Sequence, residues 1–432
     1  MDKLRPFQVI LLAVFGFAAV LGLILFANYS GFGGSTQDIG AVSIWGTLPE
    51  TAVVAEIEKL AGTNDAFAGV KYTEISDDAF NATLSEAIAS GAGPDLVIIS
   101  QEQLLALQSK LQLVSFATIP QRTYVDTYLP LYELFLTSTG TYGIPYLLDP
   151  LVMYYNRSLL TSLGIANPPQ SWEGIAGLTP TISVRDNAGT VSRSAVALGD
   201  YANIAHARAI ISLLLLQSGT TISEVTQNGV RSTLVTDMTA IQTPVESAIR
   251  FYTQFADPSK TVYSWNRSLP NSRDAFLAGD LAFYLGYASE VQSIKEANPN
   301  LSFDMASVPQ PANATAFMTY GKGYVFALPK QALNPTGAIS VASIMGEQGN
   351  MTDMAQVLNM APARKNALQA RAEDLYAPVF YSSALVARGW LSPSPSTVDG
   401  IFAGMISNIT SGRQDITEAL NATNQSLNAT LR

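Results

Sequence analysis

The four residues at 96–99, Leu-Val-Ile-Ile, constrain the fold more than any other stretch. A strand that is apolar at every position has no face to offer water. Parallel sheets, covered by helices on both sides, are where such strands are found. The flanking sequence agrees. Residues 41–46 read as a short strand ending in Trp45 and a glycine, and residues 51–60 alternate as an amphipathic helix. Residues 70–75 are a second strand, and Ser76-Asp77-Asp78 opens a second helix. Asp77 and Asp78 sit where a helix start favours acceptors and negative charge, so capping is their first reading. Gly91-Ala-Gly-Pro-Asp95 stops that helix and turns the chain into the apolar strand. Strand, helix, strand, helix, strand predicts a doubly wound α/β lobe. Open α/β sheets bind ligands at the carboxyl ends of their strands. In this chain those loops begin at Trp45, Ser100 and Gln101.

A second mixed region follows. Residues 103–113 read as helix. Pro168 and Pro169 precede a helix start at Trp172, with proline in the first turn. Residues 195–198 read as a strand, 202–217 as a strongly apolar helix and 244–255 as an amphipathic one. Residues 274–280 form a helix ending at glycine, and 281–285 a buried strand leading to Gly286 and Tyr287. Residues 324–328 are a further strand, and helices dominate beyond Asn334. Trp172 reads as structural, and Trp265 stands in a polar loop that the pattern does not place.

Between the two regions lies residues 142–156, Tyr-Gly-Ile-Pro-Tyr-Leu-Leu-Asp-Pro-Leu-Val-Met-Tyr-Tyr-Asn. It holds a turn at Tyr142-Gly143, a kink at Pro145, and one acid, Asp149, before a buried strand at 151–155. A carboxylate at that place is costly unless something polar meets it. It is either a cap or salt-bridge partner, or a hydrogen-bond acceptor aimed at a ligand between two lobes.

Composition narrows the chemistry. The 432-residue chain contains no cysteine and a single histidine, His206. Disulfides, thiolate metal sites, cysteine nucleophiles and a lipidated N-terminal cysteine are therefore excluded, and no catalytic residue, metal site or cofactor is expected. His206 reads as a partly exposed helical residue. The formal net charge of -10 argues against a nucleic-acid partner. Asn-x-Ser/Thr sequons recur, at Asn81, Asn156, Asn266, Asn313 and Asn421 among others; they mean glycans only where the host glycosylates.

At the N-terminus, Lys3 and Arg5 precede an uncharged apolar run over about residues 7–27, long enough to span a bilayer. Residues 1–28 are therefore read as an uncleaved single-pass membrane anchor, or else an uncleaved signal, and 29–39 as a flexible Gly/Ser-rich tether. Positive residues before the span place the remainder on the extracytoplasmic side of the cell membrane.

Taken together, several fragments resemble the extracellular solute-binding proteins of ABC importers, the group that includes maltose-binding protein and other sugar binders. They are residues 93–97; 142–145 with 154–160; 163–165 with 168–173; 275–279; Gly321-Lys322-Gly323; 362–364; and 411–414 followed by 418–420. The resemblance implies a two-lobed periplasmic-binding-protein fold, type II-like, with ligand in the interlobe cleft. It places the first crossing near 147–151 and the return near 317–324. The implied first lobe is 40–147 plus 322–380 and the second 148–321, with 381–432 packing against both. It implies a ligand site drawn from Trp45, Ser100, Gln101, Asp149, Asp200, Tyr201, Gly286, Tyr287, Tyr320, Lys322 and Trp390. The implied partners are a small solute, most readily a sugar, and the permease of an ABC transporter.

A sugar needs hydrogen-bonding groups around its rim and flat aromatics for its C–H face. Asp149, Asp200, Gln101 and Lys322 would serve the rim. Trp45, Tyr201, Tyr287 and Trp390 would serve the face, with core packing the alternative for each. Three other readings stand beside transport of a sugar. The same fold could take a peptide, a polyamine or an organic anion; only Lys322 and Arg364 are bases near the expected site, which disfavours anions. It could signal to a receptor instead of a permease. It could be a membrane-tethered hydrolase using Asp149 and Asp200 as paired carboxylates.

Overall fold

The computed structural model describes residues 39–235, 243–369 and 374–431. The expected anchor and nearly all of the tether lie outside the described residues. Among the described residues no helix is long and apolar enough to cross a membrane.

The predicted first lobe forms as its sequence dictates. Strands β1 (Val42–Gly46), β2 (Val70–Glu74) and β3 (Leu96–Ser100) are parallel, in the order β2-β1-β3. Helices α1 (Glu50–Ala61), α2 (Asp77–Ser90) and α3 (Gln101–Leu107) follow them in turn. Every residue of β3 is buried. Helix α2 ends at Gly91, whose φ of 74° is a left-handed cap that costs glycine nothing. The helix read over 103–113 is shorter and starts earlier, because Leu111–Gln112 pairs as a strand with residues 328–329.

The stretch around Asp149 is one 13-residue strand, β4 (Ile144–Asn156), rather than a crossing loop followed by a strand. Its first half pairs antiparallel with β8 (Thr319–Pro329), which also pairs with β3. Its second half pairs with β6 (Leu281–Tyr287) and β7 (Phe303–Ser307). Strand β5 (Val191–Val196) then runs parallel to β6. One twelve-stranded sheet thus runs through the molecule, with β4 and β8 as the two strands that connect its halves. Proline has no N–H to give a ladder. The β4–β8 register accordingly shifts opposite Pro145, between Tyr324 and Val325.

In the second half, the helix expected over 202–217 forms only as α4 (Ala207–Gln217). Residues 200–206 are turns, and His206, with φ of 57°, precedes the helix in a left-handed conformation. Helix α5 (Val291–Ala297) follows β6, and α6 (Gln348–Leu358) packs on α1. The C-terminal helices α7 (Pro395–Thr410) and α8 (Ile416–Thr430) lie against α4, the helix Pro244–Thr253 and the strand Gly229–Ser232. Just before α7, Ser392 Oγ donates to the Glu102 carbonyl, tying this segment to the first half.

A polar cavity between two alpha/beta halves

A cavity of about 1250 Å³ opens between the halves. The first half contributes the β1–α1 loop and the start of α1 (Thr47 to Ala55), Asp77 at the start of α2, and the end of α6. The second contributes the turns before α4 and the start of α5. Between them Asp149, Lys322 and Tyr324 present the side chains of the connecting strands, and Asp399 reaches in from α7.

Several charges in its wall are joined through the buried Glu102. Glu102, 2% exposed at the start of α3, accepts from Tyr320 Oη at 2.5 Å and from Arg208 Nη2 at 3.0 Å, with Lys322 Nζ 3.8 Å away. Burial pushes the Glu102 carboxyl up, but Arg208, Lys322 and Tyr320 outweigh it and hold it below its ordinary value. Arg208 gives its other arm to Asp399 at 2.9 Å, and the Tyr201 hydroxyl donates to Asp399. Lys322 reaches Asp77 at 3.0 Å. Burial lowers the lysine's pKa, yet Tyr324, Glu102 and Asp77 more than restore it, so it stays a cation. A chain of ion pairs therefore runs from α2 through Lys322, Glu102 and Arg208 to α7.

A second cluster lies beside it. His206 Nε2 is 2.8 Å from Glu290, which also accepts from Tyr284 Oη and the Tyr287 N–H. Burial raises the Glu290 carboxyl, and His206 and these hydrogen bonds bring it below its ordinary value. The imidazole meets the Tyr287 ring edge-on, and Lys322 Nζ lies 5.8 Å from that ring's centre.

Asp149 is not the open acceptor that its position suggested. It is 4% exposed, and both its oxygens are taken by Ser289, through the backbone N–H at 3.1 Å and the hydroxyl at 2.6 Å. Burial is the main reason its carboxyl is pushed up to about 7; Glu290 adds to the shift, while Ser289 and Lys322 oppose it. The residue ties the connecting strand β4 to the turn before α5.

A family model of bacterial extracellular solute-binding proteins matches residues 52–378. The chain belongs to that family. No curated protein matches the sequence. Among solved structures, the GacH receptor of Streptomyces glaucescens, crystallised unliganded and with acarbose, has a TM-score of 0.69 at 18% identity, over 91% of this chain and 98% of that one. The cyclic α-maltosyl-1,6-maltose binding protein of Arthrobacter globiformis gives 0.72 at 17%, over 90% and 98%. The Thermus thermophilus maltotriose binding protein gives 0.68 at 15%, over 90% and 100%. At these identities the likeness is one of fold.

In this solute-binding protein the expected ligand residues divide. Asp149, Tyr201, Tyr287 and Lys322 line the cavity. The other seven do not. Ser100 is buried at the start of α3, and the Gln101 carboxamide is spent on the β8 backbone, donating to the Gly321 carbonyl and accepting from the Gly323 N–H. Tyr320 is buried and serves Glu102. Asp200 caps its own turn through the Tyr201 N–H and faces Arg267 at 3.4 Å. Gly286 lies inside β6, where a Cβ would stand 2.7 Å from Glu290 Oε1. Trp45 is half-buried against the core of the first half. Trp390 is core as well, with its indole N–H on Ser212 Oγ and its ring against Phe402. Trp265 is likewise buried and donates to Asn203, and Arg364 stacks over Tyr128 and donates to the Gly346 carbonyl.

Arg208, Asp399, Glu290 and Ser289 line the cavity, with Glu102 buried behind them as a partner of Arg208, and none of the five was singled out from sequence. Three of them adjoin residues that were: Glu102 follows Gln101, Arg208 lies two beyond His206, and Ser289 two beyond Tyr287.

Proposed function

We propose that this solute-binding protein takes a neutral oligosaccharide into the cavity between its lobes, closes on it, and presents it to the permease of an ABC importer. The observation that carries the reading is that both strong cations of the cavity wall are already engaged. Arg208 and Lys322 face Glu102, Asp399 and Asp77; Glu290 faces His206, Asp149 is held by Ser289, and Glu296 accepts from the Gln292 carboxamide. An anionic ligand would have to break one of the Arg208 or Lys322 pairs, and stranding a desolvated charge costs several kcal/mol. A neutral, hydroxyl-rich ligand need not. It can use the donors and acceptors that the pairs leave over. Tyr201 and Tyr287 supply ring surface at the wall. The volume exceeds the roughly 300–1,000 Å³ of drug-sized sites, which suits more than one sugar ring. The folds it resembles include proteins solved with maltotriose, maltotetraose and mannobiose.

In this reading β4 and β8 are the hinge. The first lobe is 40–147 with 322–380, the second is 148–321, and 381–432 packs mainly on the second. Ligand bridging the lobes shifts the population toward a closed form, and no covalent step is involved. Residues 1–28 hold the domain at the outer face of the membrane. Titration calorimetry over a panel of mono- and oligosaccharides, peptides and polyamines tests the ligand class. Heat is expected from oligosaccharides; silence across all sugars with clear heat from a peptide or polyamine would refute it.

A further inference from the structure

Asparagine is placed unevenly in this chain. Of its 21 asparagines, 11 stand in an Asn-x-Ser/Thr sequon. Serine and threonine make up 73 of the 432 residues, so chance would put about four asparagines in that setting. The ten described sequons occur in both halves of the fold. No sequon asparagine lines the ligand cavity. Asn300 and Asn313 are exposed in loops, on either side of β7. Asn408 lies near the end of α7, and Asn421, Asn424 and Asn428 recur along one face of α8 at spacings of three and four. Only Asn156 of the described ten is buried; its side chain accepts from the Leu159 N–H and caps a helix.

The residues around these positions point the same way. Only 13% of the chain is charged, against the roughly 25% ordinary for soluble domains. Helix α8 carries three asparagines, three threonines or serines beside them, and no lysine or arginine. Asparagine and threonine are poorer helix formers than the lysine, glutamate and alanine that ordinarily fill an exposed face. One of the three asparagines is already used by the fold: Asn428 accepts from the Ser232 N–H, so the exposed loop positions are the better acceptor sites. The family places the domain outside the cytoplasm, where a glycan would hydrate a surface short of charge.

We propose that the exported chain is N-glycosylated, with Asn300 and Asn313 as its principal sites and the cavity left bare. In the transfer, the side-chain carboxamide nitrogen attacks the anomeric carbon of an oligosaccharide carried on a lipid diphosphate. The C–N bond forms, the bond from that carbon to the diphosphate oxygen breaks, and the amide proton is lost as the lipid diphosphate departs.

The test is glycopeptide mass spectrometry on the protein purified from the cells that encode it. Saccharide masses are expected on the peptides carrying Asn300 and Asn313, and none on Asn156. Thr315→Ala, expressed in the same cells, keeps Asn313 but removes its sequon, and the intact chain should then lose the mass of one glycan. Bare Asn300 and Asn313 peptides would overturn the proposal, as would an unchanged mass in Thr315→Ala. Neither result bears on what the cavity binds.

Discussion

Glu102 is the residue on which the cavity's charges converge. It is buried, and its partners come from the connecting strand β8 and from α4 in the other half. Removing one member of such a pair leaves an uncompensated charge. Arg208→Met is therefore expected to lower the unfolding free energy by about 3 kcal/mol in urea titration. The double variant Glu102→Gln/Arg208→Met should recover much of that loss. Equal losses in the single and double variants would mean that the pair is not coupled. Asp149 makes a prediction in pH. Its folded pKa lies above that of an unfolded carboxyl, so the folded state binds the proton more tightly. Its contribution to stability then falls as pH rises from about 4 to about 7 and is flat above. A shift of that size corresponds to about 4 kcal/mol at most. Asp149→Asn should gain on the wild type across this window, measured by denaturant unfolding at pH 5 and pH 8. A constant difference would mean that Asp149 stays ionised throughout. Sequence drew the eye to Asp149 because a lone acid in an apolar run is conspicuous. It could not show Ser289, 140 positions away, which occupies the carboxylate.

Elements were more legible than contacts. The strands and helices of the first half follow from apolar runs, glycine stops and acidic helix starts, and they form nearly where the pattern puts them. The long strand β4 was read as a bend and a shorter strand, since Pro145 looks like a kink. The sheet absorbs Pro145 as a register shift and carries on. His206 was read inside a helix that in fact begins after it, because an apolar run does not reveal a left-handed residue at its start. Trp390 illustrates the limit for aromatics: a tryptophan before a Ser-Pro bend reads equally as a ligand platform or as core. Packed between Ser212 and Phe402, it joins α7 to α4. Trp390→Ala should cost about 3–5 kcal/mol of stability and leave ligand affinity within twofold at a temperature where the variant is folded. A large loss of affinity with stability unchanged would return Trp390 to the cavity.

At the scale of the molecule, membership of the solute-binding family was legible from many weak fragments in the right order. The polarity of the cavity was not, because it is assembled from residues 77, 208, 290, 322 and 399, with Glu102 buried behind them, which only the topology brings together. The proposed hinge at β4 and β8 makes a prediction for the shape in solution. The radius of gyration from small-angle scattering should fall when a saccharide that gives heat is added; an unchanged curve would make the cavity a rigid pocket. The central claim is that Arg208 and Lys322 are spent on acids of the protein itself and leave a site for a neutral guest. Its most direct test is calorimetric titration with one oligosaccharide in three forms: neutral, oxidised to a uronate, and aminated. The account predicts that the neutral form binds at least tenfold more tightly than either charged form. Tighter binding by the uronate or the amine would contradict it.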